Sequence, residues 1–234
     1  MASPALNDEV IVALTVTTSS PFMSLSSPVP WKIFVHARIL RSSRWGQPVT
    51  IVADRSIFWG TGIWRGEFGS AFVSKRDPNR HIRLGHFWVK YIDTFDTLSL
   101  YERGFNFLTL PGSGQAVTVT YEVSLEKLFE YSDLRPEDIQ SGEEFRFHVN
   151  PRQCRVPWWC WGDIEGDLKG KDLHEWSHME GLADELPPPS QEEIEQGNYI
   201  TGGDVDKFQV EDQTGWVDVT FMRVRKCRCS ALHP

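Results

Sequence analysis

The chain has 234 residues, 40% of them hydrophobic and 12% aromatic, with ten tryptophans, enough apolar material for a sizeable core. Its 24 Lys and Arg against 32 Asp and Glu leave a formal charge of −8, which argues against nucleic acid or an anionic membrane as the main partner. No apolar run approaches the roughly 20 residues of a membrane span, and the start, Met1 to Glu9, lacks the basic and apolar regions of a secretory leader.

In chain order the pattern is dominated by extended segments. Glu9–Thr17 is a β-branched run, followed by a Ser/Pro-rich loop through Pro30. Trp31, Ile33, Val35, Ala37 and Ile39 then alternate with Lys32, His36 and Arg38, the period-two signature of a strand with one buried face. Val49–Ala53, Ile82–Val89 and Asn106–Leu110 are further strand candidates. Pro111-Gly112-Ser113-Gly114 reads as a hairpin turn leading into Ala116–Val123, where Val117, Val119, Tyr121 and Val123 share a face. Leu125, Leu128 and Phe129 space one short helix after Ser124, and Leu134-Arg135-Pro136 closes it. Phe145, Phe147 and Val149 form another alternating strand, and Asp172–Leu186 is a second helix candidate.

The segment 185–203, with Pro187-Pro188-Pro189 and then Glu192, Glu193 and Glu195, predicts a mobile acidic loop. It returns the chain to a C-terminal strand at 215–226, where Val217, Val219 and Phe221 alternate with Asp218 and Thr220. The basic residues Arg223, Arg225, Lys226 and Arg228 read as a solvated strand end. Many short strands with Gly/Pro turns and little helix predict an all-β fold, one antiparallel β-sandwich domain over residues 1–234.

Two stretches also carry a family resemblance. Leu108-Thr109-Leu110-Pro111-Gly112-Ser113-Gly114 runs on to Ser141-Gly142-Glu143-Glu144-Phe145, and Trp158-Trp159-Cys160-Trp161-Gly162 follows. Together they resemble a group of uncharacterised fungal cytosolic proteins in which a Leu-x-Pro-Gly-Glu turn precedes a strand and a Trp-Trp-x-Trp-Gly element. The resemblance covers roughly residues 9–165 and 205–225, and it departs at Arg135–Gly142, where an insertion separates Pro136 from Gly142. It implies an immunoglobulin-like or arrestin-N-like sandwich and no particular chemistry.

The sharpest catalytic motif is His174-Glu175-x-x-His178, extended by Gly181 and Asp184. On a helix the two imidazoles would share a face and, with Asp184, grip zinc, and Glu175 would act as general base on the metal-bound water. Against this, Gly166 and Gly170 leave little helix before His174, and Met222 lies in a strand, not in the tight turn such enzymes use. The alternative is a short amphipathic helix with solvated histidines. Cys154, Cys160, Cys227 and Cys229 lack knuckle spacing and predict free thiols in a reducing, cytoplasmic setting. His81 and His86 fall on opposite faces of a strand. Gly60-Thr61-Gly62 lacks the third glycine of a dinucleotide site.

The tryptophans are the remaining signal. Alternation directs Trp159 and Trp161 to one side and Trp158 to the other, so that one face can be core and the other ligand surface. Trp59, Trp64 and Trp88 extend such a surface, and Phe58–Phe72 is apolar enough to serve as a binding edge. Three readings follow. The leading one is a non-catalytic cytoplasmic β-sandwich, without cofactor, that binds a protein or small apolar ligand through aromatic residues. The others are a zinc hydrolase at His174, Glu175, His178 and Asp184, and a metal-free metabolite enzyme of cyclase type with a tryptophan-lined pocket. Pairing of sheet edges into a homodimer is open.

Overall fold

The computed structural model describes residues 8–27, 29–54, 56–64, 70–85, 99–174, 192, 195–196 and 198–223, with backbone alone at 151–152. The strands are β1 (Val10–Thr18), β2 (Phe22–Ser24), β3 (Trp31–Ser42), β4 (Val49–Val52), β5 (Ala71–Ser74), β6 (His81–Arg83) and β7 (Phe107–Leu110). They continue as β8 (Val117–Val123), β9 (Glu143–His148), β10 (Trp159–Trp161), β11 (Asp172–His174), β12 (Tyr199–Thr201), β13 (Phe208–Asp212) and β14 (Val217–Met222). One short helix, α1 (Leu125–Phe129), follows Ser124, whose hydroxyl caps it by accepting from the Lys127 amide. Among the described residues no helix is long and apolar enough to cross a membrane.

The fold is an all-β sandwich. One sheet has the order β13-β1-β3-β8 and the facing sheet β2-β14-β9-β5-β6. Most neighbours are antiparallel, while β13 and β2 join their sheets as parallel edges. Alternation decides the facing: Val10, Val12, Leu14 and Val16 of β1 and Ile33, Val35, Ala37 and Ile39 of β3 enter the core. Phe72, Phe145, Phe147 and Phe221 meet them from the other sheet. Trp31 and Phe72 touch across the gap with centroids 6.0 Å apart, and Phe145 and Phe221 pack edge to face at 5.1 Å. Each large side chain buried this way contributes about 1.5–3 kcal/mol.

A third sheet, β10-β4-β7, closes one end. β3 and β8 pair antiparallel, and so do β4 and β7, so the chain 31–52 lies along 107–123 as one ribbon bent in the middle. The bend explains a departure from the sequence reading. Pro111–Gly114 is not a hairpin turn but the point where the ribbon passes from one sheet to the next. At this corner a Cβ on Gly112 would lie 2.2 Å from the Gly46 carbonyl oxygen, so the two turns can cross only if one is glycine.

The closing sheet is buried on both faces. Val49, Ile51, Trp159 and Trp161 face the main core, whereas Val52, Cys160 and Trp158 face a second, smaller core with Leu100, Leu168, Leu173 and Ile200. That second core is roofed by β11 and β12, which pair in parallel. The helix expected from Asp172 therefore does not start there: Asp172–His174 is extended, and its pairing with Tyr199–Thr201 also places a strand inside the segment read as a loop. Of the strand expected at Ile82–Val89, β6 covers only Ile82 and Arg83 and the strand has ended by Leu84, and of the one expected at 215–226 the strand is Val217–Met222; residues 86–89 and 224–226 lie outside the described residues.

Candidate functional site

The Trp-Trp-x-Trp-Gly element does not form an open aromatic surface. Trp159 and Trp161 do point away from Trp158, as alternation requires, but both sides are covered. Trp158, Trp159 and Trp161 are 1%, 0% and 4% exposed. Their only polar atoms are occupied: Trp158 Nε1 donates to the His174 carbonyl at 2.9 Å, Trp159 Nε1 to the Asp204 carbonyl at 2.8 Å and Trp161 Nε1 to Asp8 at 3.1 Å. A buried indole with its one donor satisfied has no group left for a ligand. These three rings are anchors that tie the closing sheet to the segment before β1, to the end of β11 and to the segment after β12. The fit is tight enough that a Cβ on Gly202 would lie 2.3 Å from Trp158 Cδ1.

Trp161 also helps to bury a charge. The Asp8 carboxylate accepts from Arg44 Nη2 at 2.6 Å, from Arg44 Nε at 3.3 Å and from Ser43 Oγ at 3.1 Å. The guanidinium lies 5.3 Å from the Trp161 ring. Asp8 thus accepts from each of these neighbours, which is what keeps a carboxylate tolerable inside a protein.

In the described part of the stretch read as a binding edge, the apolar side chains other than Trp59 and Trp64 are core. Ile57, Phe58, Ile63 and Phe72 are buried, and the Tyr121 hydroxyl is shared between the carbonyls of Ile57 and Trp59. Burial pushes that phenol far above its ordinary pKa. Trp59 stays half-exposed at the rim, and Trp64 is partly covered by the Lys127 ammonium 4.6 Å from its ring. Trp88 lies outside the described residues.

The residues of the zinc motif divide. His174 ends β11 in extended backbone, not on a helix, while Glu175, His178 and Asp184 lie outside the described residues. His174 stacks on Tyr199 with centroids 3.8 Å apart, and its Nε2 lies 2.7 Å from Asp172 Oδ2. Ser99 Oγ donates to the other oxygen of the same carboxylate at 2.8 Å. Serine, carboxylate and imidazole are thus in contact, but in the wrong order for nucleophilic catalysis. The carboxylate stands between hydroxyl and imidazole, so His174 has no path to the Ser99 proton. The chain of contacts fastens β11 to the segment carrying Ser99, where an isolated bridge also joins Ser99 to His174. Among the described residues no group of three or more His, Cys, Asp or Glu is arranged to hold a metal ion.

Cys154 and Cys160 are free and buried. Burial pushes the Cys154 thiol up to about 12 and raises that of Cys160 as well, so neither is a thiolate at neutral pH. Cys227, Cys229 and His86 lie outside the described residues.

Among the described residues an accessible apolar concavity lies elsewhere, at the β2 edge. A groove of about 430 Å³ runs between the β2 edge, the start of β3 and the β8–α1 junction, lined by Phe22, Met23, Val29, Trp31, Val123 and Leu125. Phe22 is 57% exposed and Val29 72%. The Trp31 indole forms part of the floor, and its N–H is spent on the Ser20 carbonyl at 2.8 Å. Beyond Leu125 a second hollow of about 410 Å³ continues past Phe129, with Glu126, Glu130 and Glu137 on its walls beside Arg135. Sequence reasoning treated Ser19–Pro30 only as a loop. Its signal was the apolar Phe22, Met23 and Val29 inside a Ser/Pro-rich stretch, immediately before an aromatic strand start. No protein-family model matches the chain, and no curated protein and no solved structure shows significant similarity to it.

Proposed function

We propose that this chain is a non-catalytic binding module that holds an apolar segment of a protein partner in the groove beside β2. The observation that carries this reading is the groove itself, of about 430 Å³, where exposed Phe22 and Val29 overhang a floor containing Trp31. That size lies in the ordinary range for ligand sites, and large apolar side chains left in water at the rim of a concavity mark recognition surfaces. The adjoining hollow adds three carboxylates, Glu126, Glu130 and Glu137, against one guanidinium, Arg135. The fitting occupant is therefore a peptide segment with one or two large apolar anchors followed by Lys or Arg. A cytoplasmic location and an immunoglobulin-like or arrestin-like grouping belong to the same proposal, supported by the two facing sheets and the thiol chemistry of Cys154 and Cys160.

Selection from a displayed peptide library tests it. Enriched peptides should combine an apolar anchor with nearby basic residues and lose binding at least tenfold to Leu125→Lys or Val29→Asp. Peptides that bind these variants as well as the unaltered protein would place recognition on another surface.

A further inference from the structure

The outer face of the five-stranded sheet carries a second site, independent of the groove. Because Phe72, Ile82 and Phe147 point into the core, their neighbours along each strand point outward. Pairing then sets two rows across this face: Arg83, Ala71 and His148, and beside them His81, Val73 and Arg146. The small side chains of Ala71 and Val73 form the floor on β5. Arg83 on β6 and Arg146 on β9 stand at opposite corners of this patch, their Cα atoms about 12 Å apart by two strand spacings and two residues along the strand, a gap that two arginine side chains reach into from either side.

Both guanidiniums lack a carboxylate partner among the described residues. Arg83 donates through Nε to His81 Nε2 at 3.0 Å, a ring nitrogen and not a carboxylate. Arg146 lies 4.4 Å from the ring of Trp216, which is itself exposed and sits 4.1 Å from the His148 ring. Glu144 and Asp218, the acids on the outward side of β9 and β14, are both taken by Lys75, at 3.1 and 3.0 Å, and the remaining acid close by, Asp212, acts on His148. In a chain with eight more carboxylates than Lys and Arg, two arginines without a carboxylate partner, set diagonally across small residues, call for an explanation.

The arrangement of Arg146 supplies one. Its Nε is buried under the indole without an acceptor, and His148 Nδ1 is buried without a hydrogen-bond partner. The guanidinium is therefore held against the aromatic ring with its hydrogen-bonding capacity left to the two terminal nitrogens. A planar cation fixed by stacking loses little freedom on binding and matches the two oxygens of a carboxylate or phosphate. We propose that Arg146 and Arg83 form an oxyanion site over Ala71 and Val73, with Trp216 as the residue that positions Arg146. The ligand chemistry is a carboxylate or phosphate group.

Titration of the full chain with inorganic phosphate and, separately, with citrate tests this and decides between the two sources. Binding is followed by the side-chain Nε–H resonance of Arg146 and by the indole resonance of Trp216, with calorimetry for affinity. The expected result is saturable binding of at least one anion, with both resonances shifting together. Arg146→Gln or Arg83→Gln should weaken it about tenfold or more, the size expected for one charge-assisted hydrogen bond. Trp216→Ala should weaken it less, because the charge remains and only its orientation is lost. Arg83 is exposed and Arg146 half-buried, and equal melting temperatures for the Gln variants would confirm intact folding. Absence of saturable binding of either anion overturns the proposal. So does binding that survives the Arg83→Gln/Arg146→Gln double substitution, which would place the anion elsewhere.

Discussion

The pairing of Asp8 with Arg44 makes an unequal pair of predictions. The Asp8 side chain is 9% exposed and that of Arg44 27%, so the carboxylate is the group that depends on its partner. Removing one member of a fully buried ion pair costs about 3–5 kcal/mol, and an exposed pair is worth about 0–1 kcal/mol. Arg44→Ala removes the cation that pairs with the enclosed carboxylate, while Ser43 Oγ and Trp161 Nε1 stay in reach, and should cost about 3 kcal/mol. Asp8→Ala leaves a guanidinium that can turn to water and keep its place near the Trp161 ring, and should cost about 2 kcal/mol. The double substitution should cost little more than Arg44→Ala alone, a coupling of roughly 1–2 kcal/mol. Urea unfolding followed by far-ultraviolet circular dichroism measures all four corners. With a slope of about 2 kcal/mol per molar urea, the Arg44→Ala midpoint moves down by about 1.5 M at unchanged slope. Additive costs, or a loss below about 0.5 kcal/mol for either single substitution, would refute the reasoning, since distant or exposed groups behave that way.

Other expectations follow from the same geometry. Trp159→Ala should cost about 3–5 kcal/mol by leaving a void in the main core, whereas Trp45→Ala, at a ring 64% exposed, should stay within about 0.5 kcal/mol. Denaturant midpoints distinguish the two. Burial holds the His148 imidazole below its ordinary value, outweighing the attraction of Asp212. The unfolded chain therefore takes up that proton first on acidification. The contribution is complete above about pH 6.5 and is lost as pH falls through the native value, so His148→Gln should flatten the decline in melting temperature between about pH 7 and pH 5. An unchanged slope would show that His148 carries none of it. Cys154 and Cys160, held as protonated thiols by burial, should resist iodoacetamide in the native protein at pH 8 and react in urea. Peptide mapping by mass spectrometry reads each cysteine separately.

How much of this was legible depends on which interactions are local. The strands β1, β3 and β8 announce themselves because one face of each is core and the other polar, and period two records that difference. The Ser124 cap and the spacing of Leu125, Leu128 and Phe129 likewise mark α1. The opposite directions of Trp158 and Trp159 were legible too, but not that both sides are covered, since the roof comes from Leu168, Leu173 and Ile200, far along the chain. Asp172–His174 carries no strand signal of its own and is extended only because Tyr199–Thr201 pairs with it. Phe72 made its segment look like an aromatic edge, when its ring is the inward member of β5. Trp216 had a readable signal that went unused. It shares parity with Asp218 and Thr220, the polar side of β14, and so belongs outside. The groove was harder to see, because Phe22, Val29 and Leu125 converge only after the two sheets are stacked.

Hydrogen exchange of the indole N–H protons, resolved by nuclear magnetic resonance with each tryptophan assigned by substitution, tests the main assignment most directly. The protons of Trp158, Trp159 and Trp161, each donated to an internal acceptor, should exchange orders of magnitude more slowly than those of Trp45 and Trp216. Exchange of the three at the rate of the exposed indoles would mean that they face water and that the aromatic surface lies there after all.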